Sequence, residues 1–381
     1  MFVAASFLIP WLNKVYFLWD DIEFLMRLKA PALGEFLLSH QYQFQPLFYA
    51  VYWLEIQLFG VHPQPFFFIS ILVHLLNIYL VHSIIYRLTK SKSAALTAAG
   101  LVSFNKSYYS VVFWQSIFSN QLLVLLLLIA VLAYLNLEKT YSLSSAIVLG
   151  IALLSAGFTQ GFGVGAGLVF ALTVLLFWRN KPWWKNVFWV CAIVGLISIF
   201  ATVVFSIPEI QTDRKFEFSF QRLLNLAYFT AVGPSQAIIN RFFLPGFIPN
   251  IHSQANIAVM ILIPAILLIF LLWIIIKNIN NKRRLSYLLL FNAYTVIPYF
   301  IAGLARSGPG ALGGIAERYV YPPFFFFILT LVYASFLCQN TLPIKLSKHS
   351  LAIKVILIGA IIILSLGQQA VMHLEVYNVF L

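Results

Sequence analysis

Charge is scarce in this chain: Asp, Glu, Lys and Arg make up 9% of its 381 residues, where a water-soluble domain carries about 25%. That excludes a soluble enzyme and leaves no room for a separate soluble catalytic domain. Cysteine is nearly absent. Cys191 and Cys338 both fall inside apolar runs, so neither a disulfide framework nor a cysteine metal site is available. No Lys or Arg precedes Lys14; the basic region of a signal peptide is missing, and the first apolar stretch is expected to be a retained span. The glycine stripe Gly161, Gly163, Gly165 and Gly167 has no strand ahead of it and no following Lys-Ser/Thr, which argues against coupling to ATP. Its small-residue pairs, Gly161 with Gly165 and Gly163 with Gly167, are expected to let helices approach closely. No Ser-His-Asp arrangement and no fixed-period repeat is present.

What the chain has in abundance is apolar surface, 62% of its residues. At about 20 apolar residues per span, the expected fold is an all-α polytopic membrane protein with about eleven transmembrane helices. Candidate spans fall at 2–18, 66–87, 94–112, 118–137, 142–159, 162–178, 186–206, 256–276, 285–305, 319–340 and 351–372. Long continuous apolar runs leave no alternating face for a barrel. Residues 1–381 read as a single transmembrane domain.

The net charge of +13 would suggest nucleic acid in a soluble protein, but here placement matters more than the total, and no nucleic-acid partner is expected. With the N-terminus inside, the short inner loops collect Arg87, Lys90, Lys92, Lys139, Arg179, Lys181, Lys185, Lys277, Lys282, Arg283, Arg284, Lys345, Lys348 and Lys354, as the positive-inside rule requires. Of the 11 acidic residues, all but Glu138 then face outside. The expected location is the plasma (inner) membrane, with any acid chemistry on the extracytoplasmic side. Two outer loops are long, 19–65 and 207–255, and loops of that kind carry function. Phe24, Leu25, Leu28, Phe36, Leu37, Leu47, Phe48, Val51, Leu54 and Leu58 recur at helical spacing in the first, which predicts amphipathic helices lying along the membrane surface.

The chemistry-bearing candidates lie in these outer segments. Asp20, Asp21 and Glu23 follow Trp19 where the first span ends. Mutual repulsion and apolar neighbours raise a carboxylate pKa, which suits a proton acceptor or a cation ligand; the same residues also suit the first turn of a capped helix. Glu317, Arg318 and Tyr319 follow a glycine-rich loop whose other end is Arg306. Arginine there is suited to a lipid phosphate, or to snorkelling beside an interfacial Tyr. Arg214, Lys215, Arg222 and Arg241 place cations in the second loop. His74 and Asn77 share one face of the second span, where they can hydrogen-bond within the bundle or face a polar cavity. His40 and His62 have no metal-ligand spacing.

The order of these features resembles the GT-C superfamily of integral membrane glycosyltransferases, in particular bacterial relatives of protein O-mannosyltransferases and aminoarabinose transferases. The features are Asp20-Asp21 after the first span, then Phe44-Gln45-Pro46-Leu47, Phe59-Gly60, the Ile71 to Asn77 stretch, Phe113-Trp114, and Glu317-Arg318-Tyr319-Val320-Tyr321. The resemblance implies transfer of a sugar from a polyprenyl-phosphate donor to a glycan, lipid or protein acceptor on the outer face, the donor being expected to enter laterally from among the membrane lipids. It implies that Asp20 and Asp21 are catalytic, one as base towards the acceptor hydroxyl or as part of a divalent metal site, no other cofactor being called for. Arg318 is implied for the leaving phosphate, with Arg306, Glu317, Tyr319, Glu23 and His74 as further substrate contacts. Gln45 stands where relatives commonly carry Arg, and Asp21 where several carry Glu. The rival readings are a transporter or flippase of a lipid-linked saccharide, and an O-antigen polymerase or ligase type enzyme centred on Arg214, Arg222 and Arg241.

Overall fold

The computed structural model describes residues 8–29, 44–103, 111–213, 269–306 and 320–339, together with the isolated positions 5, 36, 226 and 230. Its regular elements are helices: α1 (Trp19–Leu28), α2 (Pro46–Phe59), α3 (Pro63–Thr89), α4 (Lys92–Ser103), α5 (Phe118–Lys139), α6 (Leu143–Thr159), α7 (Ala166–Phe177), α8 (Trp184–Asp213), α9 (Lys282–Arg306) and α10 (Tyr321–Gln339). A further helical segment covers 269–277. Among the described residues, four helices are long and apolar enough to cross a membrane: Pro63–Thr89, Gln115–Lys139, Trp184–Phe205 and Tyr321–Cys338. α6 and the stretch around α7 are apolar but shorter.

Local chemistry accounts for the helix boundaries. α2 and α3 each start on a proline, Pro46 and Pro63, at the position where the missing N–H costs nothing. α2 stops at Gly60, whose φ of 64° suits glycine and whose N–H closes the last turn on the Ile56 carbonyl. Ser142 caps α6 by accepting the N–H of Ser145.

The expected first span is altered. Ile9–Lys14 forms a 3₁₀ helix with Pro10 at its start, and residues 15–18 are not helical, so 9–18 is no continuation of an α-helix. The reason lies in tertiary contacts, since this stretch is laid against α3, with Phe17 edge-on to Phe66 at 5.2 Å. The expected helices of the first long loop are present as α1 and α2. α2, however, buries Phe48, Tyr49, Tyr52, Glu55 and Ile56, while Leu54 and Leu58 face outward; the buried stripe is turned from the aliphatic one because aromatic bulk packs against α1 and α3. Span 94–112 corresponds to α4, which is described as far as Ser103. Span 351–372, most of 256–276, and the loop 207–255 beyond α8 lie outside the described residues, save for positions 226 and 230.

The bundle core is formed where α5 packs on α6 and α3, α7 on α8 and α9, and α10 on α9, α4, α3 and α5. Its outer surface is apolar as well. Leu72, Leu76 and Tyr79 on α3, Ile147 and Ile151 on α6, and Leu196, Phe200 and Val203 on α8 all face outward, as side chains do when the surrounding solvent is lipid. The glycine stripe is a turn rather than a helix face: Gly161–Gly163 is a 3₁₀ turn, and Gly165 has φ 82°. Only Gly167 enters α7, and its close partner is Gly195 of α8 rather than another member of the stripe.

Chain direction gives the bundle two unlike ends. The starts of α3, α5, α7 and α10 and the ends of α6 and α8 meet at one end, with α1 and α2 packed there against α3, α5 and α6. Arg87, Lys90, Lys139, Lys181, Lys282, Arg283 and Arg284 gather at the other. Glu138 is also at that basic end, where it pairs with Arg283 and accepts a hydrogen bond from the Tyr287 hydroxyl at 2.6 Å.

Candidate active site

Asp21 lies at the polar end of the bundle and is completely buried. It occupies the first turn of α1, whose free N–H groups and dipole attract a carboxylate. Its Oδ2 accepts the Leu18 N–H at 2.9 Å, just ahead of the helix. Its Oδ1 accepts the Ser116 N–H at 2.6 Å, across 95 positions of the chain. Two main-chain donors on different elements therefore fix the plane of this carboxyl group. Burial pushes it up to about 6; the N–H groups of Leu18, Ser116 and Gln115 pull it down, and the neighbouring Asp20 charge adds a rise. A carboxylate near 6 is poised to take a proton at neutral pH.

Ser116 belongs to the 3₁₀ turn Gln115–Ile117 that leads into α5. From the other side α2 supplies two residues one turn apart. The Tyr52 hydroxyl donates to the Asp21 main-chain oxygen at 3.2 Å, and the Glu55 Oε2 accepts the Gln115 side-chain N–H at 2.8 Å. Glu55 is buried, which pushes its carboxyl up to about 8 against the opposing pull of that hydrogen bond. The Tyr52 phenol is raised by burial first and by both carboxylates after it.

A belt of buried amides and hydroxyls continues from this point along the same end of the bundle. Gln45 donates to Gln160 at 3.0 Å, and Gln160 donates to Asn120 at 3.1 Å, joining the start of α2 to α5 and to the turn after α6. Gln45 is thus a bonded part of the scaffold. Ser70 donates to the Val112 carbonyl at 2.8 Å, and Gln121 donates to the Val111 carbonyl at 3.0 Å. His74 Nδ1 and the Tyr321 hydroxyl lie 2.8 Å apart, and Asn77 reaches the same hydroxyl at 3.3 Å. The shared face of His74 and Asn77 therefore makes hydrogen bonds within the bundle and joins α3 to the start of α10.

Of the site residues expected from sequence, Asp20 is half-buried beside Asp21, and Glu23 is exposed on α1. Arg306 is the last residue of α9, its side chain outside the described part; Glu317, Arg318 and Tyr319 lie outside the described residues, as do Arg214, Lys215, Arg222 and Arg241. The described residue Tyr321, two positions after Tyr319, sits at the polar end through its contacts with His74 and Asn77. Among the described residues no three His, Cys, Asp or Glu side chains come together as a metal site. Sequence reasoning missed Glu55, Gln115 and Ser116. The one available signal for Glu55 was a carboxylate placed three residues after Tyr52 in an otherwise apolar helix.

No match was found among curated proteins, nor among solved structures. Residues 44–205 do match a family model. The matched stretch runs from Phe44 through Glu55, Gln115 and Ser116 to the part of α8 that ends at Phe205, beginning after Asp20-Asp21 and ending before Arg318. The family it matches is that of the dolichyl-phosphate-mannose-protein mannosyltransferases, which supports the chain as a multi-pass membrane glycosyltransferase of the GT-C type.

Proposed function

We propose that the protein transfers a sugar from a polyprenyl-phosphate donor to an acceptor hydroxyl, with inversion, at the polar end of the bundle, and that Asp21 is the base. The observation that carries this reading is a buried carboxyl, pushed up to about 6 and held by two main-chain N–H groups, packed against a bundle that matches the mannosyltransferase family model. Mannose is the sugar that the family's name carries. A lone pair of the Asp21 carboxylate outside these hydrogen bonds receives the acceptor proton. The acceptor oxygen attacks the anomeric carbon from the face opposite the phosphate; that carbon's bond to the phosphate oxygen breaks, and polyprenyl phosphate leaves with the bonding electrons. Asp20, half-buried one residue earlier, marks the side from which substrate approaches. Arg318 neutralises the leaving phosphate, its motif joining directly onto Tyr321 at this end of the bundle. The positive-inside rule puts the basic end in the cytoplasm and this site on the extracytoplasmic side.

The test is turnover of polyprenyl-phosphate mannose and a panel of related donors by purified protein in lipid, with membrane extract as acceptor. Wild type is expected to consume a donor, with kcat/KM rising through about pH 6 as Asp21 loses its proton. Asp21→Asn is expected to abolish consumption while still folding. Full turnover by folded Asp21→Asn would remove Asp21 as the base, and binding of a donor with no consumption of any would favour a carrier of lipid-linked saccharides.

A further inference from the structure

Glu55 is a buried carboxyl group outside the acidic pair, and its geometry requires explanation. One oxygen accepts the Gln115 side-chain N–H at 2.8 Å, while the other, Oε1, is buried with no hydrogen-bond partner among the described residues. Leaving a carboxyl oxygen buried and unpaired costs stability, so an apolar residue would serve packing better at this position. Gln115 is adjacent in the chain to Ser116, whose N–H is bound by Asp21 Oδ1. Tyr52, one turn before Glu55, donates to the main-chain oxygen of that same Asp21. One face of α2 thus holds Asp21 from two directions, directly at its main chain and through the 115–117 turn at its side chain.

We propose that Glu55 is a positioning residue for Asp21, acting through Gln115 to hold the turn whose Ser116 N–H orients the carboxylate. The inference rests on Asp21 being the base. The titratable groups that face Asp21 are Asp20 on α1 and Tyr52 on α2, with Glu55 beyond Tyr52; the 115–117 turn brings none. When Glu55 is truncated, the turn shifts and the Ser116 N–H leaves Asp21. Losing a donor to the charged form raises the proton affinity of a carboxylate, so the acid limb of the rate profile moves up.

The experiment compares Glu55→Leu, Glu55→Gln, Gln115→Leu and the double variant Glu55→Leu/Gln115→Leu. The readout is turnover of polyprenyl-phosphate mannose, or of whichever panel donor wild type consumes. For Glu55→Leu the expected result is a kcat about tenfold lower, KM within about twofold, and an acid limb higher by about one pH unit. Glu55→Gln recovers most of the lost turnover, because its amide oxygen can accept the same N–H. The double variant is no worse than the poorer single, as residues acting in series require. If Glu55→Leu does not fold, Gln115→Leu carries the same expected profile. A folded truncation variant with an unchanged pH profile, or additive losses in the double variant, would overturn the proposal. Failure of the Asp21 assignment is read separately, from Asp21→Asn: if that variant is inactive while the Glu55 series is normal, only the positioning role falls.

Discussion

Gly167 on α7 and Gly195 on α8 meet backbone to backbone: a Cβ added to Gly195 would stand 2.6 Å from the Leu168 nitrogen, and one added to Gly167 would stand 2.8 Å from the Gly195 Cα. Both distances are shorter than real side chains reach, so the two helices can cross at this depth only while both positions lack a side chain.

Gly167→Ala and Gly195→Ala are therefore expected to destabilise the bundle by about 1–3 kcal/mol each through overpacking. Gly161→Ala, where an added Cβ meets nothing within 4 Å, is expected to be tolerated. Thermal unfolding in one detergent, read for all three, separates crossing from stripe; equal losses would show that the crossing is not what needs glycine.

At the basic end, Tyr287 is buried and donates to Glu138 at 2.6 Å, with Arg283 paired to the same carboxylate. Glu138→Leu removes the acceptor and strands a buried hydroxyl, a change of about 1–3 kcal/mol. The expected outcome is a lower unfolding temperature with donor turnover unaltered, and Glu138→Leu/Tyr287→Phe is expected to regain part of the loss. A turnover defect in the single variant would mean that the two ends are coupled.

Stability is expected to depend on pH through Glu55 and Asp21. Both carboxyls are raised in the fold, to about 8 and about 6, so the folded state holds protons that the unfolded chain has released. Their stabilisation is complete below about pH 4, where the unfolded carboxyls are protonated too, and is lost as pH rises through 6 and then 8. Unfolding temperature should fall from pH 5 to pH 8, and Glu55→Gln should flatten the upper part of that decline. A wild-type temperature that rises over this interval would mean these groups are not held protonated.

Orientation can be read with single cysteines in a Cys191→Ala/Cys338→Ala background. Gln57→Cys, on the exposed side of α2, is expected to react with a membrane-impermeant thiol reagent in intact cells. Thr140→Cys, exposed in the turn after α5, is expected to react only after lysis. The reverse pattern would put the acidic end in the cytoplasm.

Periodicity and run length were enough to find the helices from α3 onward, because continuous apolar stretches of this length have no alternative to a helix in lipid. His74 and Asn77 were legible as a shared face for the same reason. The geometry of the candidate site was less so. Asp21 was visible as one of a cluster of acids, but its partner Ser116 is set by how α1 docks on the turn before α5, a contact that no local pattern records. Glu55 was hidden by its surroundings: Leu54 and Leu58 made the outward face of α2 look like the buried one. The 3₁₀ stretch Ile9–Lys14 reads as helix by hydropathy, which registers neither Pro10 at its start nor its seat against α3.

The hydrogen bond from Ser116 to Asp21 spans 95 positions, and this gap sets an order of events during biosynthesis. When α1 leaves the ribosome its carboxylate has no distant amide to bind; α2, α3 and α4 must be synthesised before residue 116 is. A nascent chain halted before α5 would hold the acidic pair without the Ser116 amide, so Asp21 reaches both of its main-chain donors only once the first half of the bundle has been made.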